Sequence, residues 1–402
     1  MDSILNAAAL ALSRGDLIGA LNRIALRDDP DALAMRGIAM AQLGEFSRAR
    51  ELLRAAASAF EPAESIARAR CLLAEAEIAL MSRDLALPVE TLEAAGRTLA
   101  EKGDRFNAAH AAIVAARLHL LLGHLDRAAQ RLDALDGFLL PSALAASRDL
   151  VLAGIAVRRL RATSARSALH RAERAAHRSG IAGLIGEVAA AQRALAEPVA
   201  VLQRSGSTRP VALAEIESLL AANVLVVDAS RNLCRLGPTV ISLSSRPVLM
   251  ALATALAVAW PGIATRETLL ATAFGARHAD ESHRTRLRVE ITRLRRVLAP
   301  LAGLAAARGG FRLEPGDADV AILAHPRAGQ AAQIMALLAD GELWASSTLA
   351  TVLGASMRSV QRSLQSLQQA GKVQPVGRGR SLRWTALAAP GFPTVLLLPG
   401  VA

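Results

Sequence analysis

The chemistry of this chain is concentrated in one stretch. Between Arg284 and Arg296, thirteen residues hold Arg284, Arg286, Arg288, Arg293, Arg295 and Arg296 against one acid, Glu290. Guanidinium groups fork onto guanine edges and phosphate oxygens, which is the chemistry of nucleic-acid recognition. A merely solvated helix face mixes its signs, and this one does not. At 100° per residue, Leu287, Ile291, Leu294 and Leu298 fall on one narrow apolar stripe that a helix must bury. The opposite side then presents Thr285, Val289, Thr292, Arg293 and Arg296, with Arg286 and Arg288 flanking. Thr and Val methyls suit contact with thymine methyl groups. Arg284 and Arg295 lie nearer the buried edge and are expected to hold phosphate or structure.

The elements that must position this helix read as follows. Val224–Val227, Asn232–Leu236 and Thr239–Leu243 alternate like short strands, punctuated by Asp228-Ala229-Ser230 and Gly237-Pro238. A buried helix follows Ser244-Ser245-Arg246-Pro247 and ends at Pro261-Gly262. A second helix runs from Thr265, its expected N-cap, to Phe274, with Gly275 as terminator. A polar loop over 276–283 leads into the arginine helix, which Pro300 and Gly303 close. A hairpin around Arg308-Gly309-Gly310-Phe311-Arg312-Leu313 completes the segment.

This order, with "TRETLLATAFG" (Thr265–Gly275), "VEITRLRRVL" (Val289–Leu298) and "RGGFRL" (Arg308–Leu313), resembles the OmpR/PhoB-type winged helix-turn-helix of transcriptional regulators over residues 223–315. The resemblance implies that Arg284–Leu298 enters a major groove. Arg308 and Arg312 resemble the wing residues that approach the minor groove, where narrow A·T tracts attract guanidinium. The sequence departs from the pattern at Phe274, Phe311 and Arg288, which stand where Trp, Tyr and an acid are usual. No receiver domain precedes it, so phosphorylation-driven activation does not carry over.

A second segment, Gln330–Trp384, begins with an apolar helix (Ile334, Leu337, Leu338). Ser346 is expected to cap a short helix, Gly354 to turn the chain, and Ser356 to cap the next. Met357, Val360, Leu364 and Leu367 form the expected buried stripe, with Arg358, Arg362, Gln365 and Gln369 pointing away and Gln361 beside them. Val376–Trp384, carrying Arg378, Arg380 and Arg383, reads as a basic wing. The segment is similar to the small MarR/DeoR-like winged helices. The site residues expected here are Ser356, Arg358, Gln361, Arg362, Gln365, Arg378, Arg380 and Arg383. Such modules also serve as protein–protein contacts.

From Ser3 to Pro198 the sequence is amphipathic helix throughout. Gly15-Asp16 with Ala20, Gly44-Glu45 with Ala49, and Gly123-His124 with Ala128 repeat one turn chemistry, with further breaks at Arg83-Asp84 and Thr163-Ser164. The spacing settles near 40 residues, a helical-hairpin period with one small residue where two helices cross. The array is similar to degenerate tetratricopeptide repeats. Such arrays dock peptides or proteins, or serve as scaffolds and oligomerisation surfaces. His110, His119 and His124 are expected on the surface and off any common helical face, so no metal is expected there. The His278/His283 and Asp280/Glu281 pairs read as a solvated loop.

Length and charge bound the rest. The chain has 402 residues and a net charge of +12, and its 47 basic residues are all Arg except Lys102 and Lys372. Residues 209–402 hold 21 basic against 12 acidic side chains, so the excess sits in the C-terminal half. Val248–Trp260, the longest apolar run, is too short for the roughly 20 residues a bilayer requires, so no membrane partner is expected. Asp2 and Asp16 without a basic leader predict no secretory signal. Cys71 and Cys234, far apart, exclude a disulfide framework or a cysteine-built zinc site and suit a reducing cytoplasm, with nucleoid association. No phosphate-binding loop, zinc-protease or nucleophile-elbow motif is present, so neither catalysis nor a cofactor is expected.

The expected architecture is multidomain: an all-α helical-hairpin (tetratricopeptide-like) superhelix followed by two small α+β winged helix-turn-helix domains. Residues 1–200 form the array, 201–222 a linker and short helix, 223–319 and 328–388 the winged helices, and 389–402 a tail. The expected function is sequence-specific binding of double-stranded DNA in transcription regulation, the array sensing or docking a protein partner through residues 1–200. Two alternatives remain open: an adaptor using winged helices for protein contacts, and a plasmid-type replication initiator.

Overall fold

The computed structural model describes residues 3–82, 88–204, 206–274, 281–324, 330–338, 344–353, 355–369, 372–377, 379 and 382–386. The chain is mostly helical, and the described strands all lie from Ala200 onward. It divides into two compact units, one reaching Ala194 apart from Leu160–Ala162, the other running from Leu195 to Ala386. No helix among the described residues is long and apolar enough to cross a membrane.

The first unit is helical: α1 (Ser3–Ser13), α2 (Leu17–Ile24), α3 (Pro30–Gln42), α4 (Phe46–Ala59), α5 (Ser65–Met81), α6 (Val89–Glu101), α7 (Arg105–Leu121), α8 (Leu125–Asp133), α9 (Ser142–Arg158), α10 (Ala162–Ser179) and α11 (Ala182–Ala196). From α1 to α9 successive helices pack on one another along the chain, and Ala146, Ala172, Ala176 and Leu184 join α9, α10 and α11 in one small core. One turn recurs. At Gly15, Gly44, Gly103 and Gly123 the backbone enters the left-handed region. In each case the glycine N–H bonds three residues back and the next N–H five back, as His124 does to the His119 carbonyl at 2.9 Å. This is the Schellman-type close of a helix, and a side chain at that φ costs about 1 kcal/mol or more. Ala20, Ala49 and Ala128, five residues after three of these glycines, are wholly buried. Gly103-Asp104 is a fourth copy that the spacing argument passes over, because it links successive hairpins rather than the two helices of one. Arg83 and Asp84 lie outside the described residues. His110 and His119 are buried rather than on the surface as expected, each facing a carboxylate: Glu77 at 3.4 Å and Glu93 at 3.5 Å.

The second unit begins where a linker is expected. Residues 200–211 instead form a β-hairpin, β1 (Ala200–Arg204) and β2 (Ser207–Val211), followed by α12 (Leu213–Ala221). The polar, Gly/Ser-containing composition belongs to an exposed edge strand and its turn, with four of the five β2 residues exposed. Next come β3 (Val224–Asp228), β4 (Leu233–Leu236), β5 (Thr239–Ser242), α13 (Pro247–Ala259), β6 (Ala264–Thr265), α14 (Arg266–Phe274), α15 (Glu281–Leu298), β7 (Gly303–Ala307), β8 (Gly310–Glu314) and β9 (Asp319–Ala324). The six-stranded sheet has the order β2-β1-β9-β3-β4-β5, with β3 and β9 parallel. The sheet therefore reaches past residue 319, the expected boundary, because β9 is its central strand. Every residue of β3 is buried. Val224 and Val226 face the core with Ile216 and Leu219 of α12, while Leu225 and Val227 face α13 and α15. A separate sheet, β6-β8-β7, holds the hairpin that follows α15.

The unit ends with α16 (Gln330–Leu337), α17 (Ser346–Val352), α18 (Met357–Gln369), β10 (Val373–Val376) and β11 (Arg383–Ala386). Ile334, Leu338, Leu349, Val360, Leu364, Leu367, Val373 and Trp384 make its small core. Met357, expected in that stripe, is 40% exposed instead. It opens the helix, one position after the capping Ser356, and the stripe begins only at Val360. Ser346 starts α17, and its hydroxyl accepts a hydrogen bond from the Trp384 indole at 3.0 Å, so it ties hairpin to helix.

Candidate nucleic-acid interface

Helix α15 is anchored by its apolar side. Leu287, Ile291, Leu294 and Leu298 are each at most 2% exposed, within the core made by α13, α14 and the strands. Each such burial is worth about 1.5–3 kcal/mol, so the rotation of the helix is fixed by packing. Its other faces are left to solvent: Arg284, Thr285, Arg286, Arg288, Val289, Thr292, Arg293, Arg295 and Arg296 are all exposed.

The exposed arginines are not equivalent. Arg286 stacks its guanidinium 4.7 Å from the Phe274 ring centroid, which gives this long side chain a preferred direction. Arg293 pairs with Glu290 one turn back at 2.8 Å. Arg295 donates from Nε to the Leu304 carbonyl at 3.0 Å, stitching α15 to β7, so of the two roles open to it the structural one has a geometry. The Thr292 hydroxyl donates to the Arg288 carbonyl and keeps its lone pairs and methyl outward.

Two grooves run along this face. One, of about 560 Å³, is lined by Ser282, Thr285, Arg286, Val289, Glu290 and Arg293. The other, of about 670 Å³, lies between α15 and the start of α13, where Arg246 and Pro247 meet Arg293, Arg296 and Val297. Arg246 is the residue the sequence argument misses. It precedes a helix whose first residue is a proline, and only the packing of α13 against α15 brings it beside Arg293 and Arg296. Glu290 also lines this cleft, and Arg246, beside the N-terminus of α13, is the side chain there best suited to a phosphate.

The hairpin after α15 is positioned by two glycines. Gly309 has φ 91°, and a Cβ on Gly310 would run into the Ala264 carbonyl oxygen, where β8 pairs with β6. The Arg266 N–H donates to the Gly309 carbonyl at 3.1 Å, tying the turn to α14. Arg308 is exposed at that turn. Arg312 is exposed on β8 and paired with Glu314 at 3.0 Å.

On α18, Val360, Leu364 and Leu367 face inward, and Ser356, Arg358, Gln361, Arg362 and Gln365 are exposed. The Ser356 hydroxyl accepts from the Ser359 N–H at 3.2 Å, as a cap should. Arg383 is half-buried and donates to the Leu382 carbonyl. Arg378 and Arg380 lie outside the described residues, as do His278 and Asp280. Compared with protein-family models, curated proteins and solved structures, the chain matches none.

Proposed function

We propose that this chain is a sequence-specific binder of double-stranded DNA that regulates transcription. In this reading the segment from β3 to β8 is a winged helix with α15 as its recognition helix, and α16–β11 is a second, smaller winged helix. The first unit is a tetratricopeptide-like array that senses a ligand or docks a partner. The observation that carries the reading is the exposed arginine face of α15, held outward by a fully buried Leu/Ile stripe. Side chains of Thr285, Val289, Arg293 and Arg296 would meet base edges, and Arg246, Arg288 and Arg308 would hold phosphates on either side.

Fluorescence anisotropy of the full chain on duplex DNA at increasing salt tests this. Affinity should fall steeply and linearly on logarithmic axes as several counterions are released. Arg293→Ala should lose about 1–3 kcal/mol and relax preference at one base pair. Binding that is absent, or indifferent to salt, overturns the proposal.

A further inference from the structure

The first unit contains a partly enclosed chamber of about 60 Å³ among α3, α4, α5 and α7. Met35, Ile38, Leu53 and Phe60 give it an apolar wall. Its other wall is polar, with Asp31, Arg70, Asn107 and His110. His110 is 2% exposed, and its Nδ1 meets no hydrogen-bond partner among the described residues. An orphaned ring nitrogen in a buried site is costly unless something supplies the missing contact. The chamber shares Asp31, Phe60, Ala67 and Arg70 with an outer vestibule of about 310 Å³, which adds Glu64 and Lys102. Both signs of charge therefore stand at the entrance to an apolar hole.

The volume limits what enters. A dry cavity of about 150 Å³ accommodates benzene; this one, at about 60 Å³, suits two to three carbons, such as the isopropyl end of a branched side chain. A chamber so small also brings every lining group within reach of one occupant. Burial is the main effect that raises the Asp31 carboxyl above its usual range, and the nearby Asp29 and Glu64 charges add to it. An arriving cation relieves both neighbours' repulsion. Arg70 already pairs with Asp104 at 2.7 Å, which fixes its guanidinium while leaving further donors.

We propose that this chamber and its vestibule bind a free α-amino acid with a branched aliphatic side chain. The side chain packs on Met35, Ile38, Leu53 and Phe60. The ammonium group donates to the Asp31 carboxylate and to the His110 Nδ1. The carboxylate turns outward to Arg70 and Lys102. This names a ligand for the array read above as a sensor, yet its test contains no DNA, so either idea can fail alone.

Titration calorimetry of the full chain with L-leucine, L-isoleucine and L-valine is the experiment. At least one should bind at least about tenfold more tightly than L-alanine, than 4-methylpentanoate, which lacks the ammonium, and than isoamylamine, which lacks the carboxylate. Asp31→Asn should weaken that binding about tenfold or more without lowering the melting temperature. Ala74→Leu, which fills the chamber, should weaken leucine more than it weakens L-alanine, which lacks the branched side chain. The proposal is overturned if none of the three binds at about 10 mM, if alanine binds as well as leucine, or if a folded Asp31→Asn chain retains full affinity.

Discussion

On the proposed DNA-binding reading, Arg293 is the residue to weigh first. Its side chain is 60% exposed and its guanidinium leans on Glu290, whose side chain is only 15% exposed. An exposed pair of this kind is worth about 0–1 kcal/mol, whereas a fork onto guanine is worth about 1–3 kcal/mol. On the proposed reading DNA would take the guanidinium from Glu290, which orients it beforehand. Removing the acid also removes a negative charge from a surface proposed to face phosphates. Glu290→Ala should accordingly tighten duplex binding by a few-fold, read by anisotropy at fixed salt. A loss of affinity instead would mean that Glu290 itself contacts a base, as carboxylates do with cytosine. The two cysteines stand apart from this chemistry: burial pushes the Cys71 and Cys234 thiols up to about 12, so both stay protonated and unreactive near neutral pH.

At the scale of elements, the stripe on α15 was legible because the helical period, the burial and the charge segregation all agree over one uninterrupted helix. The glycines at 309 and 310 were legible as a turn, although the close approach of Ala264 to Gly310 depends on β6, four elements earlier in the chain. What could not be read was the role of residues 200–211. Their hydrogen-bonding partner is β9, and nothing local in "VLQRSGSTRP" announces a pairing with residues 322–324. Composition pointed to a linker, and tertiary context overrode it. The same distance hid Arg246, which joins the arginine face only through packing. A practical outcome follows for truncation. A chain starting at residue 209 loses β1 and strips one edge of β9, whereas a chain starting at residue 195 keeps the sheet whole. Chemical denaturation of the two should show the shorter one less stable, with ANS binding as a second readout of the bared edge. Equal stability would mean that the hairpin is an appendage.

For the molecule as a whole, charge is the organising quantity. The excess of nine positive charges in residues 209–402 is spread over α15, its hairpin and the α18 segment. If both segments grip one duplex, they act as tethered sites and their affinities multiply through effective concentration. The double change Arg358→Ala with Arg362→Ala should then lower the salt slope of the full chain by about two and shorten its footprint. An unchanged slope with loss of a protein partner would assign α18 to protein contacts instead. That the basic residues divide into two clusters was plain in the sequence. Which of them are tied to carbonyls, as Arg295 is to Leu304 on β7, was not, since that partner lies across a turn.

The central position of β9 also bears on how the polypeptide is made. Strand β1 pairs with residues that follow it by about 120 positions. At a synthesis rate of about 5–20 residues per second, the ribosome delivers that partner roughly ten seconds after β1 emerges. Throughout this interval the hairpin and β3 exist with open edges, while the helical unit ahead of them already has every local contact it requires. The nascent protein thus carries unpaired strands beside finished helices, and this is the window in which a chaperone, or a neighbouring nascent chain, would find it.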